Sequence, residues 1–454
     1  MIVPKPRLIF WTLMVFLPLS TLAVVGFWTV ALYAGLVALL FMLAVADAVM
    51  AFRNLDGISV ELPETVRLSK GREGGIRLRV NNERMKVRRI RLGLPFPGEI
   101  RSQGPDLTAE LPGESRSSFL TWPCTPLKQG RFTIDICYFE VVSPLDFWAV
   151  RARQPVQAEI RVYPNLLAER KSLAALFLHH GFGIHRHRQI GKGRDFEKLR
   201  EYVPGDNFED IHWKATARRR HPITKVFQIE RTQQVYIILD GSRLSGRSSD
   251  SPGESRGKTD SASGALSTIM DRFVTASLIM GLAAEQQGDQ FGLLTFSDRV
   301  RGFVRAKGGR HYFNACREML YTLEPQAVTP DFAELFSYIG LKIRRRAMLI
   351  FLTNLDDPVL AESFVKNIDL ISKRHLVLVS MLKPAGARPL FSSLSVESVN
   401  DIYKDLGGHI LRETLREIEK VLKRRGVGFA LLDNENMSTE LVSRYLNIKQ
   451  RQLL

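Results

Sequence analysis

The stretch "VYIILDGSRLS", residues 235–245, is an uninterrupted apolar run that ends abruptly in an acid, a glycine and a serine. Apolar runs of this length that do not alternate with polar residues are typical of strands buried on both faces. The polar residues then follow at the carboxyl end of the strand, where the chain turns. The stretch therefore predicts the first strand of a parallel sheet that helices cover on both sides.

The residues that follow continue this pattern, because short apolar strands alternate with amphipathic helices to the end of the chain. Strands are predicted at "FGLLTF", "VRGFVRA", "AMLIFLTN", "HLVLVSML" and "GVGFALLD", and helices at 264–287, near 309–323, at 331–343, at 358–373, near 410–424 and from Ser438. This alternation predicts a doubly wound α/β domain over 233–454. A polar tract rich in Ser, Gly and Asp interrupts it at 246–264, and we expect that insert to be disordered.

Polar side chains collect at the carboxyl ends of the predicted strands, where open α/β sheets bind ligands. The four candidate metal ligands are Asp240, Ser242, Thr329 and Asn354. Hard oxygen ligands of this kind suit Mg²⁺. The residues leave two alternatives open, a Mg²⁺ site and a domain that binds no metal.

Residues 54–164 precede this domain and read as short strands separated by Pro, Gly and Asn turns. The alternation predicts a small antiparallel β-sandwich. Its predicted outer face is rich in arginine, and two interpretations stay open: a solvated face near a membrane, or a surface for an anion or nucleic acid. The interleaved aromatics of a single-strand binder are missing.

The amino terminus is strongly apolar: residues 8–52 contain no Lys or Arg, and Asp47 is the only acid. The run is long enough for two membrane spans, near 8–26 and 28–48. A cleaved signal peptide is the alternative, but the run is several times too long. Basic residues flank the run on both sides, so the sequence predicts a transmembrane hairpin over 1–53 in the inner membrane, with the soluble domains in the cytoplasm.

The formal net charge of +17 supports an anionic neighbour, and membrane lipid fits it. The chain has only three cysteines, without metal-ligand spacing, which argues against a disulfide framework or a zinc site.

The connecting segment, 165–232, contains "REYVPGDNFEDIHWKATARRR" at 200–220. Pro204 and Gly205 predict a turn. Asp206 is then predicted to cap a short helix, with Glu209 completing a capping box. We favour this structural interpretation over acid–base catalysis by Asp206, Asp210 and His212. A metal cluster among the nearby histidines, and phosphate contacts by the arginines, are further alternatives.

This segment closely resembles the hallmark of the domain-of-unknown-function 58 family. The resemblance extends to "GRF…SPLDFW" at 130–148, "VYP" at 162–164, "LVSRYLNIK" near the carboxyl end and the paired amino-terminal span. The hallmark positions are Arg200, Tyr202, Pro204, Gly205, Asp206, Trp213 and Arg218.

The strand–helix series also resembles a von Willebrand factor A-type domain, whose metal site is an Asp-x-Ser-x-Ser run with a later Thr and Asp. Asp240, Ser242 and Thr329 match that pattern, whereas Leu244 replaces a serine and Asn354 replaces the aspartate. The resemblance therefore implies a degenerate metal site.

The resemblance implies a membrane-anchored interaction protein that works with a MoxR-type AAA+ ATPase in assembling or activating other complexes. The sequence has no Gly-rich phosphate loop ending in Lys-Ser/Thr, so we expect no nucleotide hydrolysis and no enzymatic activity by this chain. The alternatives are a metal-assisted hydrolase using Asp240 and Ser242, and a nucleic-acid binder, which the mixed charge of 192–220 disfavours.

Overall fold

The computed structural model describes residues 1–22, 27–55, 57–84, 87–112, 115–179, 190–204, 206–228, 233–249, 267–384, 386–390 and 398–451. The described chain forms two compact units, which divide between Asn165 and Leu166. Gly205 and residues 250–264 of the predicted disordered insert lie outside the described residues.

The first unit begins with a short strand, β1 (Ile2–Pro4), and two helices, α1 (Pro6–Leu22) and α2 (Phe27–Leu55). Among the described residues one helical stretch, Ala34–Arg53, is long and apolar enough to cross a membrane. The corresponding stretch of α1, Pro6–Leu17, is shorter. The helix α2 runs seven residues beyond the predicted span end at 48, since the run of helix-compatible residues continues to Leu55.

Nine further strands complete the first unit: β2 (Ile58–Glu61), β3 (Thr65–Ser69), β4 (Gly74–Asn82), β5 (Arg89–Gly93), β6 (Ile100–Ser102), β7 (Leu107–Glu110), β8 (Ser117–Pro126), β9 (Gly130–Val142) and β10 (Trp148–Tyr163). One sheet has the order β1-β10-β9-β5-β7, with β3 also on β10, and the other has the order β2-β4-β8-β6. Side chains from both sheets, among them Ile76, Ile90, Trp122 and Ile160, share one apolar core.

The pairing is not wholly antiparallel as predicted, because β3 runs parallel to β10 with Val66 opposite Ile160. The strand β1 also joins β10, with Ile2 opposite Val150. Neither pairing follows from local sequence, since each joins segments about a hundred residues or more apart.

The run Ser143 to Trp148 ties both amino-terminal helices to the strands of the first unit. Asp47 is buried in α2; its carboxylate accepts hydrogen bonds from Ser143 Oγ at 2.5 Å and from the Leu145 backbone N–H at 3.0 Å. The indole of Trp148 donates to the Ala44 carbonyl at 2.8 Å. Asp146 accepts from the Lys5 ammonium. The "SPLDFW" motif is thus a docking loop for α1 and α2.

The second unit contains α3 (Leu167–His179), β11 (Ile190–Glu201), α4 (Trp213–Arg219), β12 (Ile223–Gln228), β13 (Gln234–Asp240), α5 (Ile269–Gln286), β14 (Gln290–Phe296), β15 (Val300–Lys307), α6 (Arg310–Tyr321), α7 (Phe332–Lys342), β16 (Met348–Leu352), α8 (Pro358–Asn367), α9 (Asp369–Ser372), β17 (Leu376–Leu382), α10 (Val399–Arg424), β18 (Gly428–Leu432) and α11 (Met437–Gln450). The strands β11 and β12 form a separate hairpin.

Six strands form one sheet in the order β15-β14-β13-β16-β17-β18. All neighbours are parallel except β14 and β15, so the sheet is mixed rather than wholly parallel. The predicted strand β15 follows β14 after only a short turn, which allows an antiparallel hairpin but no crossover.

Helices cover both faces of this sheet, so alternate side chains of β13 pack into two different cores. Val235 and Leu239 pack into a core with α5 and α11, and Tyr236 and Ile238 pack into a second core with α7 and α8. The first strand is therefore buried on both faces, as its unbroken apolar sequence predicts.

The helix α10 begins eleven residues before the predicted start at 410. The Gly407–Gly408 pair obscures this in sequence, because glycine disfavours helix interiors. Gly408 is buried, and a β-carbon there would collide with the Gly386 carbonyl oxygen. Glycine is thus required for close backbone approach.

His375, just before β17, gives a prediction for the pH dependence of stability. It is buried, neither ring nitrogen has a hydrogen-bond partner among the described residues, and burial together with the Arg374 charge lowers its pKa. The unfolded chain takes up this proton near pH 6.5 while the folded chain does not, so stability falls as the pH drops below that value.

We expect His375→Leu to remove part of this acid sensitivity, by roughly 1.4 kcal/mol for each unit of pKa depression. Melting temperatures of the detergent-solubilised chain between pH 7.5 and 5.5 test this. The exposed His311, changed to Asn, is the matched control. Equal acid sensitivity in the wild type and His375→Leu would contradict the prediction.

Candidate functional site

The carboxyl ends of β13 and β16 meet at the point where the strand order of the six-stranded sheet reverses. The sheet extends from β13 through β14 in one direction and through β16 in the other. Loops leaving two such strands diverge and open a crevice, which is where open α/β sheets bind ligands. We call the side chains that follow β13 and β16 here, Asp240, Ser242, Thr353 and Asn354, the strand-end cluster.

Asp240 is the centre of the strand-end cluster and is completely enclosed. One carboxylate oxygen accepts a hydrogen bond from Thr353 Oγ1 at 2.6 Å, and the other accepts from the Ser242 backbone N–H at 2.9 Å. Burial raises the pKa of the Asp240 carboxyl, and the hydrogen bonds from Thr353 and Ser242 oppose this shift. Both oxygens therefore already serve the fold.

Ser242 is buried beside Asp240 and begins a short 3-10 turn over Arg243–Gly246. Its hydroxyl oxygen accepts from the Leu244 backbone N–H at 3.4 Å. The Leu244 side chain is fully buried in the apolar core that contains α7 and α8. A serine there would bury a hydroxyl in an apolar environment, so Leu244 has a packing role in this fold.

Thr329 and Asn354 come to the same edge of the sheet. The loop before Thr329 pairs with the loop after Asp240, because the Arg243 N–H donates to the Val328 carbonyl at 3.1 Å and the Gln326 N–H donates to Gly241 at 2.8 Å. Asn354 is buried directly after Thr353, whereas Thr329 is exposed. The structure thus gathers all four predicted positions at one edge.

Two arginines lie among these loops, which sequence reasoning did not single out. Arg247 forms an ion pair with Asp356 at 2.5 Å, and Arg243 lies 4.0 Å from Asp357. Asp357 also caps α8 by accepting from the Val359 N–H at 3.0 Å. Two acids of the loop that follows β16 are therefore paired with guanidinium groups from the Asp240 loop.

The donor set does not fit Mg²⁺. Asp240 supplies the only carboxylate of the strand-end cluster, burial favours its neutral form, and both its oxygens are engaged. No group of three or more His, Cys, Asp or Glu with metal-site geometry occurs in the described part of the chain. We therefore derive no metal chemistry from these residues.

A consequence is that millimolar Mg²⁺ should leave the melting temperature of the chain unchanged. A ligand that binds only the folded state at a hundred times its Kd would stabilise that state by about 2.7 kcal/mol, which is easily measured. Differential scanning fluorimetry with Mg²⁺ and with an equal ionic strength of NaCl makes the comparison. A rise specific to Mg²⁺ that Asp240→Asn abolishes would contradict this prediction.

The second candidate site is the connecting segment, where Asp206 links three parts of the β11–β12 hairpin. Its carboxylate accepts from the Val203 N–H at 3.1 Å, from Arg200 Nη2 at 2.5 Å and from Thr224 Oγ1 at 3.3 Å. The Val203 N–H, Arg200 and Thr224 hold the pKa of Asp206 below its usual value. The turn, β11 and β12 are thereby cross-linked by one side chain.

The predicted capping role of Asp206 and Glu209 is wrong. A 3-10 turn spans Phe208–Asp210, and the helix α4 begins only at Trp213 with His212 as its cap, whose Nδ1 accepts from the Ala215 N–H at 3.0 Å. Asp206 faces the hairpin because Arg200 and Thr224 outcompete the free helix amides for its carboxylate. Arg218 and Arg219 lie in the last helical turn, as predicted.

The connecting segment leaves two large aromatic side chains in solvent. Phe208 is 74% exposed and Trp213 is 68% exposed, while Ile211 between them is buried. Tyr202 lies against Phe208 with ring centroids 6.1 Å apart. Pro204 and Arg218 are also exposed, and Arg200 is held by Asp206. We call the exposed rings of Trp213, which is a hallmark position, and of Phe208, which lies in the same segment, the hallmark aromatics.

The catalytic alternative for this segment gains no support from the geometry. His212 uses a ring nitrogen as a helix cap, and Asp206 is held in its hydrogen-bond network. His185 and His187, which entered the metal alternative, lie outside the described residues. The segment is thus a braced hairpin that displays aromatic and basic side chains.

Asp206→Ala tests this bracing directly. Arg200 and Thr224 would lose their shared acceptor, so we expect the hairpin to open locally and the arginines of α4 to become faster tryptic cleavage sites. The pKa of Asp206 is lower in the folded chain than in the unfolded chain, so its carboxylate stabilises the fold at pH values above the unfolded pKa. This stabilisation is lost as the pH falls through the folded pKa. Limited proteolysis at pH 7.5 measures the effect, with exposed Glu209→Ala as the control; equal cleavage rates would refute the bracing role.

Comparisons with known proteins find a match that includes the second half of the connecting segment, from residue 198 onward. The family model described as "Protein of unknown function DUF58" matches residues 198–390. Uncharacterized proteins of Mycobacterium bovis and Mycobacterium tuberculosis are 24% identical over 197 residues, which is 43% of this chain and 56% of theirs. The chain thus spans about half the length of these curated relatives.

Two solved structures of proximal thread matrix protein 1 from the mussel byssus are also similar. They share 8% and 10% sequence identity, with a TM-score of 0.26 in each case. The matches cover 48% and 46% of this chain, and 45% and 46% of the mussel chains. At this score the likeness carries no argument. From the connecting segment through most of the six-stranded sheet, over residues 198–390, the chain is similar to the DUF58 family.

Proposed function

We propose that the chain belongs to the DUF58 family over its whole length and is a membrane-anchored interaction protein. In this proposal it works with a MoxR-type AAA+ ATPase in the assembly or activation of other protein complexes. The observation that carries the proposal is the pair of hallmark aromatics, exposed on a hairpin that Asp206 braces.

Exposed rings on a braced segment are what a protein-binding surface needs. Trp and Arg are enriched among the residues that contribute most to protein interfaces, and large rings in solvent lower solubility unless a partner covers them. Because Asp206 fixes the hairpin before binding, little ordering cost remains when a partner docks. The exposed arginines at the end of α4 add charge for an acidic partner surface.

We propose a von Willebrand factor A-like fold for the six-stranded sheet and its helices. The order β15-β14-β13-β16-β17-β18, with one antiparallel edge strand, supports this interpretation. Hydrogen bonds engage Asp240 in the strand-end cluster, and arginines pair with Asp356 and Asp357 beside it, where such domains hold a metal. In this proposal the domain recognises its partner through its own side chains and not through a bound metal ion.

Membrane anchoring by a hairpin of α1 and α2 belongs to the same proposal. The stretch Ala34–Arg53 supports one crossing, and the apolar sequence of α1 supports the other. Lys5 just before α1, Arg7 in its first turn and Arg53 near the end of α2 favour cytoplasmic positions for both ends of the hairpin. The soluble parts would then share a compartment with the ATPase.

The experiment is to tag the carboxyl terminus, solubilise native membranes gently and identify the proteins that co-purify. We expect an AAA+ ATPase in near-equal amounts with the wild-type chain. A chain with Asp206→Ala is expected to recover less ATPase, because the hallmark aromatics would lose their fixed positions. Absence of any ATPase, in a preparation whose melting transition is intact, would overturn the proposal.

A further inference from the structure

The amino-terminal edge of the six-stranded sheet gathers three loops side by side. The strands β16, β17 and β18 are parallel neighbours, so the loops that precede them emerge at the same edge. Counted with the last residues of the helices that lead into them, these loops are 342–346, 373–375 and 423–426. We call these three loops the basic edge. Intervening helices and strands separate these loops in the sequence, and the strand order of the sheet brings them together.

The basic edge is strongly and uniformly positive. The three loops contain nine Lys and Arg residues and no Asp or Glu. Most of these side chains are exposed, among them Arg344, Arg345, Lys373 and Lys423. The loops at the opposite ends of β16 and β18 instead contain Asp356, Asp357, Asp433 and Glu435 in the sequence. The basic edge thus contains no acid, whereas the loops after β16 and β18 contain two acids each.

Hydrogen bonds connect the basic edge to its surroundings. The Arg374 guanidinium donates to the Arg344 carbonyl, which joins the first two loops. Arg425 donates to Asp369 Oδ2 at 2.6 Å and to the Val365 carbonyl at 2.7 Å, which ties the third loop to α8 and α9. The remaining cations are thus presented from a fixed backbone.

Two leucines stand in solvent beside these cations. Leu341, in the last turn of α7, is 73% exposed, and Leu370, in α9, is 63% exposed. The helix α7 packs against α9, so both leucines belong to neighbouring elements that lead into the basic loops. Exposed aliphatic side chains flanked by cations are typical of surfaces that enter the boundary between lipid headgroups and acyl chains.

We propose that the basic edge, with Leu341 and Leu370, binds the anionic phospholipid surface of a membrane. The three loops contain no Phe, Tyr or Trp on which a nucleic-acid base could stack, and aliphatic side chains suit lipid better. The inference rests on the proposed membrane anchoring, which would keep this unit close to a bilayer. Each Lys or Arg near an anionic surface strengthens association roughly fivefold.

Two full-length chains, each with one added exposed cysteine, separate the basic edge from the anchor. The three native cysteines are buried, and burial raises their pKa to about 11 for Cys124 and Cys137 and about 12 for Cys316, so they react slowly. Gly340→Cys places a fluorophore next to Leu341, where an added β-carbon meets no atom within 4 Å. Phe41→Cys, in the exposed surface of α2, reports the anchor.

Both labelled chains are incorporated into vesicles that contain quencher-bearing lipids. One vesicle composition is phosphatidylcholine with phosphatidylglycerol, and the other is phosphatidylcholine alone. We expect quenching at position 41 in both and quenching at position 340 only with phosphatidylglycerol. No quenching at 340 in either composition, with position 41 quenched, would overturn the basic-edge proposal and leave the anchor intact. No quenching at 41 would reject the anchor, and the 340 probe would still decide the basic edge.

A charge-reversal pair supplies the matched control. The test chain carries Glu at four exposed basic-edge positions, Arg344, Arg345, Lys373 and Lys423. The control chain carries Glu at four exposed positions of the opposite edge, Arg243, Arg299, Lys383 and Arg388. We expect partitioning of the 340 probe to fall roughly tenfold or more in the test chain alone. Equal loss in both chains would overturn the proposal. So would an added oligonucleotide that binds in place of lipid and thereby protects the 340 probe from quenching.

Discussion

A chain carrying Trp213→Ala is expected to lose most of its partner while keeping its fold. The indole is exposed at the first position of α4, so its removal opens no cavity, and alanine favours the helix at least as well. A buried interface tryptophan typically contributes 2 kcal/mol or more, which corresponds to roughly thirtyfold in affinity. The AAA+ ATPase recovered with the tagged chain should fall accordingly, and Phe208→Ala should act in the same direction.

The matched control is Tyr403→Ala in α10, because Tyr403 is 69% exposed in the same unit and lies outside the connecting segment. Quantitative mass spectrometry of the purified chains measures the ratio of ATPase to bait. The melting temperatures of the Trp213→Ala, Phe208→Ala and Tyr403→Ala chains should agree. Wild-type recovery with both aromatic variants would show that the hallmark aromatics do not bind the partner.

The largest expected loss of stability follows from Asp289→Ala. Asp289 is buried before β14, where it accepts hydrogen bonds from the Tyr445 hydroxyl, from Lys449 Nζ at 2.8 Å and from the Gln233 N–H at 3.2 Å. It therefore joins the start of β13, the start of β14 and the helix α11. Its removal leaves the Tyr445 hydroxyl and the Gln233 N–H without their acceptor and the partly exposed Lys449 ammonium without its counterion, which we expect to cost about 3 kcal/mol.

Tyr445→Phe provides the graded comparison, since it removes one hydrogen bond and leaves the Asp289–Lys449 pair in place. The expected loss for this variant is about 1 kcal/mol. Denaturant unfolding of the solubilised chain at pH 7.5 gives both values from the shift in midpoint. A loss for Asp289→Ala no larger than that for Tyr445→Phe would contradict the role of Asp289 in joining β13, β14 and α11.

The sequence was most informative where burial determines side-chain periodicity. The apolar runs of β13, β16 and β17 are buried on both faces, and such strands are recognised in the sequence by apolar residues that do not alternate with polar ones. The positions of Asp240 and Asn354 at strand ends follow from the same runs. The antiparallel edge β15 and the parallel pairing of β3 with β10 needed long-range information, which no local window contains.

Local rules failed where side chains had competing partners. Asp206 satisfies every sequence criterion of a helix cap, yet Arg200 and Thr224, neighbours only after the hairpin forms, capture its carboxylate. The exposure of Phe208 and Trp213 was equally hidden, because local sequence does not show which aromatic rings the fold leaves in solvent. The basic edge depends on which loops the sheet brings together. One signal could have shown it: basic runs precede three successive predicted strands.

The most direct test of the interaction proposal is site-specific photo-crosslinking from position 208 in native membranes. Phe208 is replaced by a photoreactive phenylalanine analogue, and the same analogue at exposed Phe119 of β8 serves as the control. We predict a crosslink from position 208 to an AAA+ ATPase that is missing from position 119 and weakened by Asp206→Ala. Crosslinks from position 208 only to lipid or to this chain itself would contradict the account.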